Sequence, residues 1–176
     1  AESLTVDAGT RDVTFTGAVG SAGAAVGDLL VKSGANTTFV STVDAASVTT
    51  DAGGQAIIQG GRITTSGDQT YNDNVLLGSS VAHATVLNTT ATGVVLFAGT
   101  LNNQGASAES LTVNAGSRNV TFTGTVGDAA AVGFHLRGER LHVVALVEHD
   151  VEPLAVRVEG VLPLLHQAVD GGLLGH

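Results

Sequence analysis

The sequence contains no cysteine, methionine or tryptophan, only two prolines, and aromatic residues at only 3% of its 176 positions. The lack of cysteine excludes a disulfide framework, a thiolate metal site and a cysteine nucleophile. Seven Lys and Arg stand against 16 Asp and Glu, and this net charge of −9 argues against a nucleic-acid-binding surface. No apolar run approaches the roughly 18 residues of a membrane span. No leader of the signal-peptide type is visible either, so we expect the sequence to be part of a longer chain.

The composition changes abruptly after Gly133. Residues 1–133 contain 21 Thr, 11 Ser and 8 Asn, whereas residues 134–176 contain none of the three. Both prolines and five of the six histidines fall in that second part. We therefore predict a repeat segment over 1–133 and a compositionally distinct tail over 134–176, which is either an unrelated segment or the product of a shifted reading frame.

A long internal repeat supports this division. Ala1–Gly20 and Ala108–Gly127 agree at 16 of 20 positions with an offset of 107 residues. The agreement continues, with one gap, to Gly133 and then stops between one residue and the next. Such an abrupt end favours a change of frame over gradual divergence.

Shorter repeats within this unit predict the fold. The segments Val13–Val19, Val95–Leu101 and Val120–Val126 alternate apolar and polar residues, which is typical of half-buried strands, and they are bounded by Gly, Asn or Asp turns. Repeating strand–turn units predict an all-β fold, a parallel β-helix (solenoid) of irregular coils of about 20–25 residues, with an unrelated or poorly ordered C-terminal tail. A β-sandwich of short strands is the alternative.

The repeated unit AESLTV-(D/N)-AG-x-R-(D/N)-VTFTG-x-VG resembles the β-strand repeats of filamentous-haemagglutinin-like adhesins and related autotransporter passengers. The segment Ile63–Ser80 resembles them too, most specifically in Gly67–Asp73 and the apolar strand Asn74–Leu77 that follows. The resemblance covers residues 1–133 only. It implies a β-helical stalk that is exported across the outer membrane of a Gram-negative bacterium. The lack of cysteine agrees with such a route.

Carboxylates are the first candidates for chemistry. Residues 1–133 hold ten acids and four bases, which are Glu2, Asp7, Asp12, Asp28, Asp44, Asp51, Asp68, Asp73, Glu109 and Asp128 with Arg11, Lys32, Arg62 and Arg118. Asp7 and Asp12 become Asn114 and Asn119 in the second copy, an exchange that keeps turn formation and removes acid–base function. We predict Asx turns on a solvated surface and no catalytic residue.

Metal and cofactor sites are not predicted either. The calcium-binding nonapeptide of β-rolls is absent, and Asp68 and Asp73, which are spaced so that they could share an ion, are better explained as turn residues. No phosphate-binding loop follows a strand and opens a helix. His135, His142 and His149 are spaced by seven residues, too far apart on a helix to share an ion.

Surface recognition is the remaining possibility. Phe15, Phe39, Phe97 and Phe122 occupy alternating positions and are predicted to lie in the core. This leaves Tyr71 as the aromatic residue expected to expose its hydroxyl, with the capping of a turn as the alternative role. The T-x-T pairs Thr14/Thr16 and Thr121/Thr123 are too few for a flat ice-binding array and are predicted to be ordinary strand-face threonines.

The sequence thus favours a non-catalytic structural segment of a large secreted bacterial surface adhesin, in its stalk or passenger region. A β-helical polysaccharide-processing enzyme domain is the alternative. Expected partners are neighbouring repeats of the parent chain and an unknown host or surface receptor, with no nucleic acid. The expected location is the bacterial cell surface or outside the cell.

Overall fold

The computed structural model describes residues 1–78, 84–105 and 109–127 in full, together with the backbone of two further strands at 132–143 and 156–159. These residues form strands and turns and no helix. The strands are β1 (Leu4–Asp7), β2 (Val13–Phe15), β3 (Val26–Lys32), β4 (Asn36–Phe39), β5 (Val43–Thr50), β6 (Gln55–Ile58), β7 (Arg62–Thr65), β8 (Gln69–Tyr71), β9 (Asn74–Leu77), β10 (Ala84–Thr89), β11 (Val95–Phe97), β12 (Leu101–Asn103), β13 (Glu109–Phe122), β14 (Val132–Val143) and β15 (Val156–Glu159).

Every pair of these strands is parallel, and each residue pairs with one that lies roughly one coil further along the chain. The shortest steps are 19 residues, as from Leu29 to Val48, and the longest are 26, as from Leu87 to Val113. The chain thus forms a β-solenoid of about 5 turns. The predicted parallel β-helix is confirmed, and the sandwich alternative is wrong because a sandwich is built from antiparallel strands.

The pairing arranges the strands in three columns that run along the solenoid. Column one contains Val43–Ala45, β7, β10 and the first half of β13. Column two contains β1, the second half of β3 (Leu29–Lys32), the second half of β5, β8, β11 and the end of β13. Column three contains β2, β4, β6, β9 and β12. The long strands β3, β5 and β13 turn the corner from column one to column two and join them into a 10-stranded sheet beside the 5-stranded sheet of column three.

Inward side chains stack on their equivalents in the next coil. Phe97 lies between Tyr71 and Phe122, with ring centroids 5.3 and 4.8 Å apart, and Phe15 stacks on Phe39 at 5.3 Å. The predicted core position of the phenylalanines is confirmed: Phe39, Phe97 and Phe122 are buried, and Phe15 packs against the core partly buried. A few stacked rings and many Val, Leu and Ile side chains fill the narrow interior.

The two long repeat copies occupy different columns. In the first copy, Leu4 lies in column two and Val13 in column three. In the second copy, the equivalent Leu111 lies in column one and Val120 in column two. The repeated sequence therefore specifies a strand–corner–strand unit that fits at more than one corner of the coil.

The strand β14 spans the compositional boundary at residue 133 and pairs in parallel with β13 on both sides of it, from Glu109↔Val132 to Phe122↔Val143. The backbone of β15 pairs in turn with β14. The origin of the tail in a shifted frame stays a prediction. Three of the tail histidines, His149, His166 and His176, lie outside the described residues.

Candidate functional site

The carboxylates at the corners join successive coils. Asp12 accepts the Asn36 N–H at 2.9 Å, and Asp51 accepts the Ser33 N–H at 2.8 Å. Both bonds bridge from one coil to its neighbour, whereas Asp7 makes a short-range bond to the Gly9 N–H at 3.3 Å. Asx turns were predicted from the sequence, and the structure places most of these side chains in a different role, as staples along the stack.

Asp68 and Asp73, the candidates for a shared ion, bond in opposite directions along the solenoid. Asp68 accepts the N–H of Val94 in the following coil at 2.9 Å. Asp73 accepts the N–H of Gly54 in the preceding coil at 2.8 Å. Within the described parts of the chain, no group of three His, Cys, Asp or Glu side chains is placed to hold a metal ion.

Asp73 is the carboxylate with the most unusual surroundings. It is only 1% exposed, and its second oxygen, Oδ2, has no hydrogen-bond partner among the described residues. Burial raises the pKa of Asp73, and the charge of Asp51 adds to this, whereas the bond from the Gly54 N–H and the nearby Thr50 hydroxyl oppose it. The carboxylate therefore staples two coils at the cost of a partly uncompensated buried charge.

We expect Asp73→Asn to remove a pH dependence of stability. Because the pKa of Asp73 is raised in the folded state, its contribution is largest at acidic pH, where the carboxyl is neutral, and is lost as pH rises through the folded-state pKa. The asparagine variant keeps an acceptor for Gly54 and should gain stability relative to the wild type as pH rises from 4 to 7. Urea denaturation across that range measures the difference. Asp7→Asn, an exposed change already present as Asn114 in the second copy, is the charge-matched control, and an identical pH trend in both variants would refute the assignment.

Tyr71 was predicted to have an exposed hydroxyl, and this was wrong. The residue is fully buried, since it alternates with outward Thr70 on β8, and its hydroxyl donates to Gln69 Oε1 at 3.0 Å. The Gln69 amide in turn donates to Thr65 Oγ1 at 3.2 Å and to the carbonyl of Asn88 at 3.1 Å. This buried polar network extends to the next coil through the Asn88 carbonyl, and it leaves no exposed tyrosine hydroxyl for binding a sugar.

The buried hydroxyl gives a spectroscopic prediction, because Tyr71 is the single tyrosine of the chain. Burial raises the pKa of Tyr71 far above its ordinary value of about 10. The absorbance band of tyrosinate should therefore appear only when the protein unfolds at alkaline pH, and stability should fall above about pH 10 because only the unfolded state ionises there. Far-ultraviolet circular dichroism recorded in the same titration gives the pH at which the strands unfold. Tyrosinate that forms while the strands are intact would contradict the buried position.

A surface groove of about 650 Å³ runs along the outer side of column one. Its floor is formed by outward side chains of successive coils, and the segment before β3 borders it on one side. The residues that line it are Ala1, Ser21, Ala22, Ala25, Val26, Asp44, Ala45, Ala46, Arg62, Thr64, Thr65, Ser66, Val86, Asn88, Thr90 and Asn114. Hydroxyl and amide groups predominate among the polar residues, and no aromatic side chain is among them.

One ion pair lies in this groove. Arg62 donates to both oxygens of Asp44, at 3.0 and 2.9 Å, and also to Thr64 Oγ1 at 2.7 Å. The Asp44 side chain is 5% exposed and the Arg62 side chain 41%. Sequence reasoning missed this pair, although its 18-residue spacing is close to one coil and placed opposite charges on adjacent strands. The groove thus presents one carboxylate already held by an arginine, and not the two separated carboxyl groups of a glycosidase.

The T-x-T threonines divide into two environments. Thr123 donates to the carbonyls of Phe97 and Ala98, at 3.1 and 2.9 Å, and so belongs to the coil–coil contacts. Thr14 and Thr16 are exposed on the first coil. In column two the outward position of Thr121 continues on the adjacent strand as Leu96. Among the described residues, the outward row of column two therefore mixes threonine with leucine and forms no continuous threonine row.

Comparisons of the chain with protein-family models, curated proteins and solved structures find no match. Of the residues that the structure describes, none belongs to a helix with the length and apolar character needed to cross a membrane. Fold and site geometry are thus the basis for a functional proposal.

Proposed function

We propose that this chain is a non-catalytic structural segment of a large secreted bacterial surface adhesin, contributing to its stalk or passenger region. The observation that carries the proposal is the use of side chains along the stack. Inward residues form ladders, and the corner carboxylates Asp12, Asp51, Asp68 and Asp73 bond backbone N–H groups of neighbouring coils. Polar groups that could perform chemistry are thus engaged in holding one coil to the next.

The mechanism is mechanical. Each coil is held to its neighbours by a parallel backbone ladder on three sides and by buried apolar stacks, so a rod of such coils spans distance without a hinge. The net charge of −9 keeps such rods soluble and mutually repelling. A receptor contact would come from elsewhere in the parent chain.

Surface labelling tests this proposal. Antibodies raised against the purified chain should label intact, unpermeabilised cells of the source bacterium in immunogold electron microscopy, and brief external proteolysis should remove the label. Antibodies against a cytoplasmic protein are the control for cell integrity. Label that appears only after permeabilisation would overturn the surface location.

A turnover assay addresses the alternative, a β-helical polysaccharide-processing enzyme. The groove contains one carboxylate, Asp44, and one base, Arg62, among its described lining residues, and these two side chains form an ion pair with each other. We expect incubation with polygalacturonate, alginate or hyaluronate to release no new reducing ends and no unsaturated products. Turnover that disappears in Asp44→Asn while the fold persists would establish the enzyme instead.

A further inference from the structure

The first coil forms one end of the described stack. Strands β1 and β2 stand at the ends of their sheets, so each has a paired strand on one side only among the described residues. We define the first-coil face as the inward side chains Leu4, Val6, Val13 and Phe15 with the outer backbone edges of β1 and β2. Leu4 is 38% exposed, and Val6 and Phe15 are only partly buried.

In the second repeat copy, the equivalent face is covered by a neighbouring coil. The four equivalent side chains, Leu111, Val113, Val120 and Phe122, are at most 3% exposed. The cover is the preceding coil: β10 pairs with the first half of β13, and β11 pairs with its end. Within one molecule, therefore, near-identical sequences display this surface once open and once occupied.

The backbone of the two copies agrees at the corners. Gly9 and Gly116 have φ angles of 58° and 56°, and Gly20 and Gly127 have φ angles of 69° and 72°. These left-handed conformations fix how each strand leaves its corner. A coil that fits against the second copy consequently meets the same corner geometry on the first.

The hydroxyl of Thr16 could make the same coil–coil contact as its equivalent in the second copy. In the second copy, Thr123 donates to two carbonyls of the preceding coil, those of Phe97 and Ala98. Its equivalent in the first copy, Thr16, is exposed as Thr123 is, but no described coil lies on that side of it. A coil stacked on the first-coil face would supply Thr16 with the acceptors that Thr123 already has.

Charge indicates which partner fits. The first coil contains Glu2, Asp7 and Asp12 against the single base Arg11, so two first-coil faces brought together would oppose like charges. The coil that covers the second copy, residues 84–105, contains no charged residue. A neutral coil meets the first-coil face without this repulsion.

We propose that the first-coil face is a docking surface for one further parallel β-coil with the neutral strand sequence of residues 84–105. In this register Thr85 of the added coil lies opposite Leu4, and Val95 lies opposite Val13, as they lie opposite Leu111 and Val120 in the structure. The added coil would bury Leu4 and place a ring on Phe15. This inference deepens the stalk proposal and rests on it for its biological meaning, because it describes how the rod continues on this side.

A tandem variant tests the docking surface. A second copy of residues 82–107 is placed directly before Ala1 of the full chain, which restores the context that precedes Ala108. We expect a monomer in size-exclusion chromatography, a melting temperature several degrees higher, and amide hydrogen exchange in Leu4–Asp7 slowed on the order of tenfold. Phe15→Ala should also be more destabilising in the tandem variant than in the natural chain.

A matched control carries Leu87→Asp and Phe97→Asp in the added copy alone, which places charges inside the added coil. Equal exchange rates for Leu4–Asp7 in the natural, tandem and control chains would overturn the inference. A natural chain that is dimeric, and that becomes monomeric with Leu4→Asp, would assign the face to a second copy and overturn it as well. Both outcomes are independent of cell-surface labelling, so a failure here is distinguishable from a failure of the stalk proposal.

Discussion

Replacing Phe97 by alanine is expected to lower the free energy of unfolding by about 3–5 kcal/mol, the usual range for a large aromatic residue removed from a core. Phe97 is fully buried, and its ring lies between those of Tyr71 and Phe122. Its strand β11 is also the middle member of the triplet β8–β11–β13. The substitution thus leaves a cavity that two neighbouring coils line and that neither can fill without breaking its backbone ladder.

Phe15 provides the matched control. It is also a ladder phenylalanine, but it has one ring neighbour, Phe39, and is only partly buried on the first coil. We expect Phe15→Ala to cost about 1–2 kcal/mol, because less apolar area is returned to water. Urea denaturation followed by circular dichroism measures both.

If Phe97→Ala does not fold, a milder substitution at the same position provides the measurement. Phe97→Leu retains most of the buried volume and should fold with an intermediate loss of about 1–2 kcal/mol. Equal losses for Phe97→Ala and Phe15→Ala would mean that the deeper burial and second ring contact of Phe97 add no stability, contrary to this prediction.

The strand positions of the solenoid were predictable because alternation of apolar and polar residues is a local property. The segment Val120–Phe122, for example, alternates inward and outward in the structure as it does in the sequence. The parallel stacking was predictable from the repeats, since recurring strand–turn units bury their apolar sides on one another. The confirmed fold rests on these two signals.

The column that each repeat copy occupies was not predictable, because it depends on the summed lengths of all the coils between the copies. Five pairing steps along column two connect Leu4 to Val120, so these two residues are five full turns apart. The repeat equivalent of Leu4 is Leu111, which lies nine residues before Val120 in the sequence. The two copies are thus separated by less than five full turns. A short strand–corner–strand sequence carries no information on which column it will occupy.

Tyr71 was misplaced for a different reason. Its neighbour Gln69 is polar, so the alternation Gln69–Thr70–Tyr71 reads as a polar turn, although Gln69 points inward and is fully buried. Only the coil–coil contacts, such as the bond from Gln69 to the Asn88 carbonyl, make that position tolerable. The Asp44–Arg62 pair was missed because it requires knowledge of which strands are adjacent.

The second large effect is expected at Gly60, which follows β6 where the chain turns from column three towards column one. A Cβ atom at this position would lie 2.1 Å from the carbonyl oxygen of Ser41, 2.2 Å from its carbonyl carbon and 2.6 Å from its Cα. All three are backbone atoms of the neighbouring coil, so no side-chain rotation relieves the overlap. Gly60→Ala must push two coils apart.

We expect Gly60→Ala to lower the free energy of unfolding by about 3 kcal/mol, at the upper end of the range for overpacking. Gly23→Ala is the control, because a Cβ there meets no heavy atom within 4 Å, and this change should be neutral or stabilise by up to about 1 kcal/mol through the unfolded state. Denaturation curves compare the two variants. Hydrogen exchange should show where the strain acts: the Gly60 N–H, which donates to the Phe39 carbonyl at 3.0 Å, should lose protection together with the adjacent rungs of column three. If Gly60→Ala matched Gly23→Ala in stability, the coil spacing at this corner would have to be wider than the backbone pairing of β4 with β6 allows, because only separation of the two strands makes room for the methyl group.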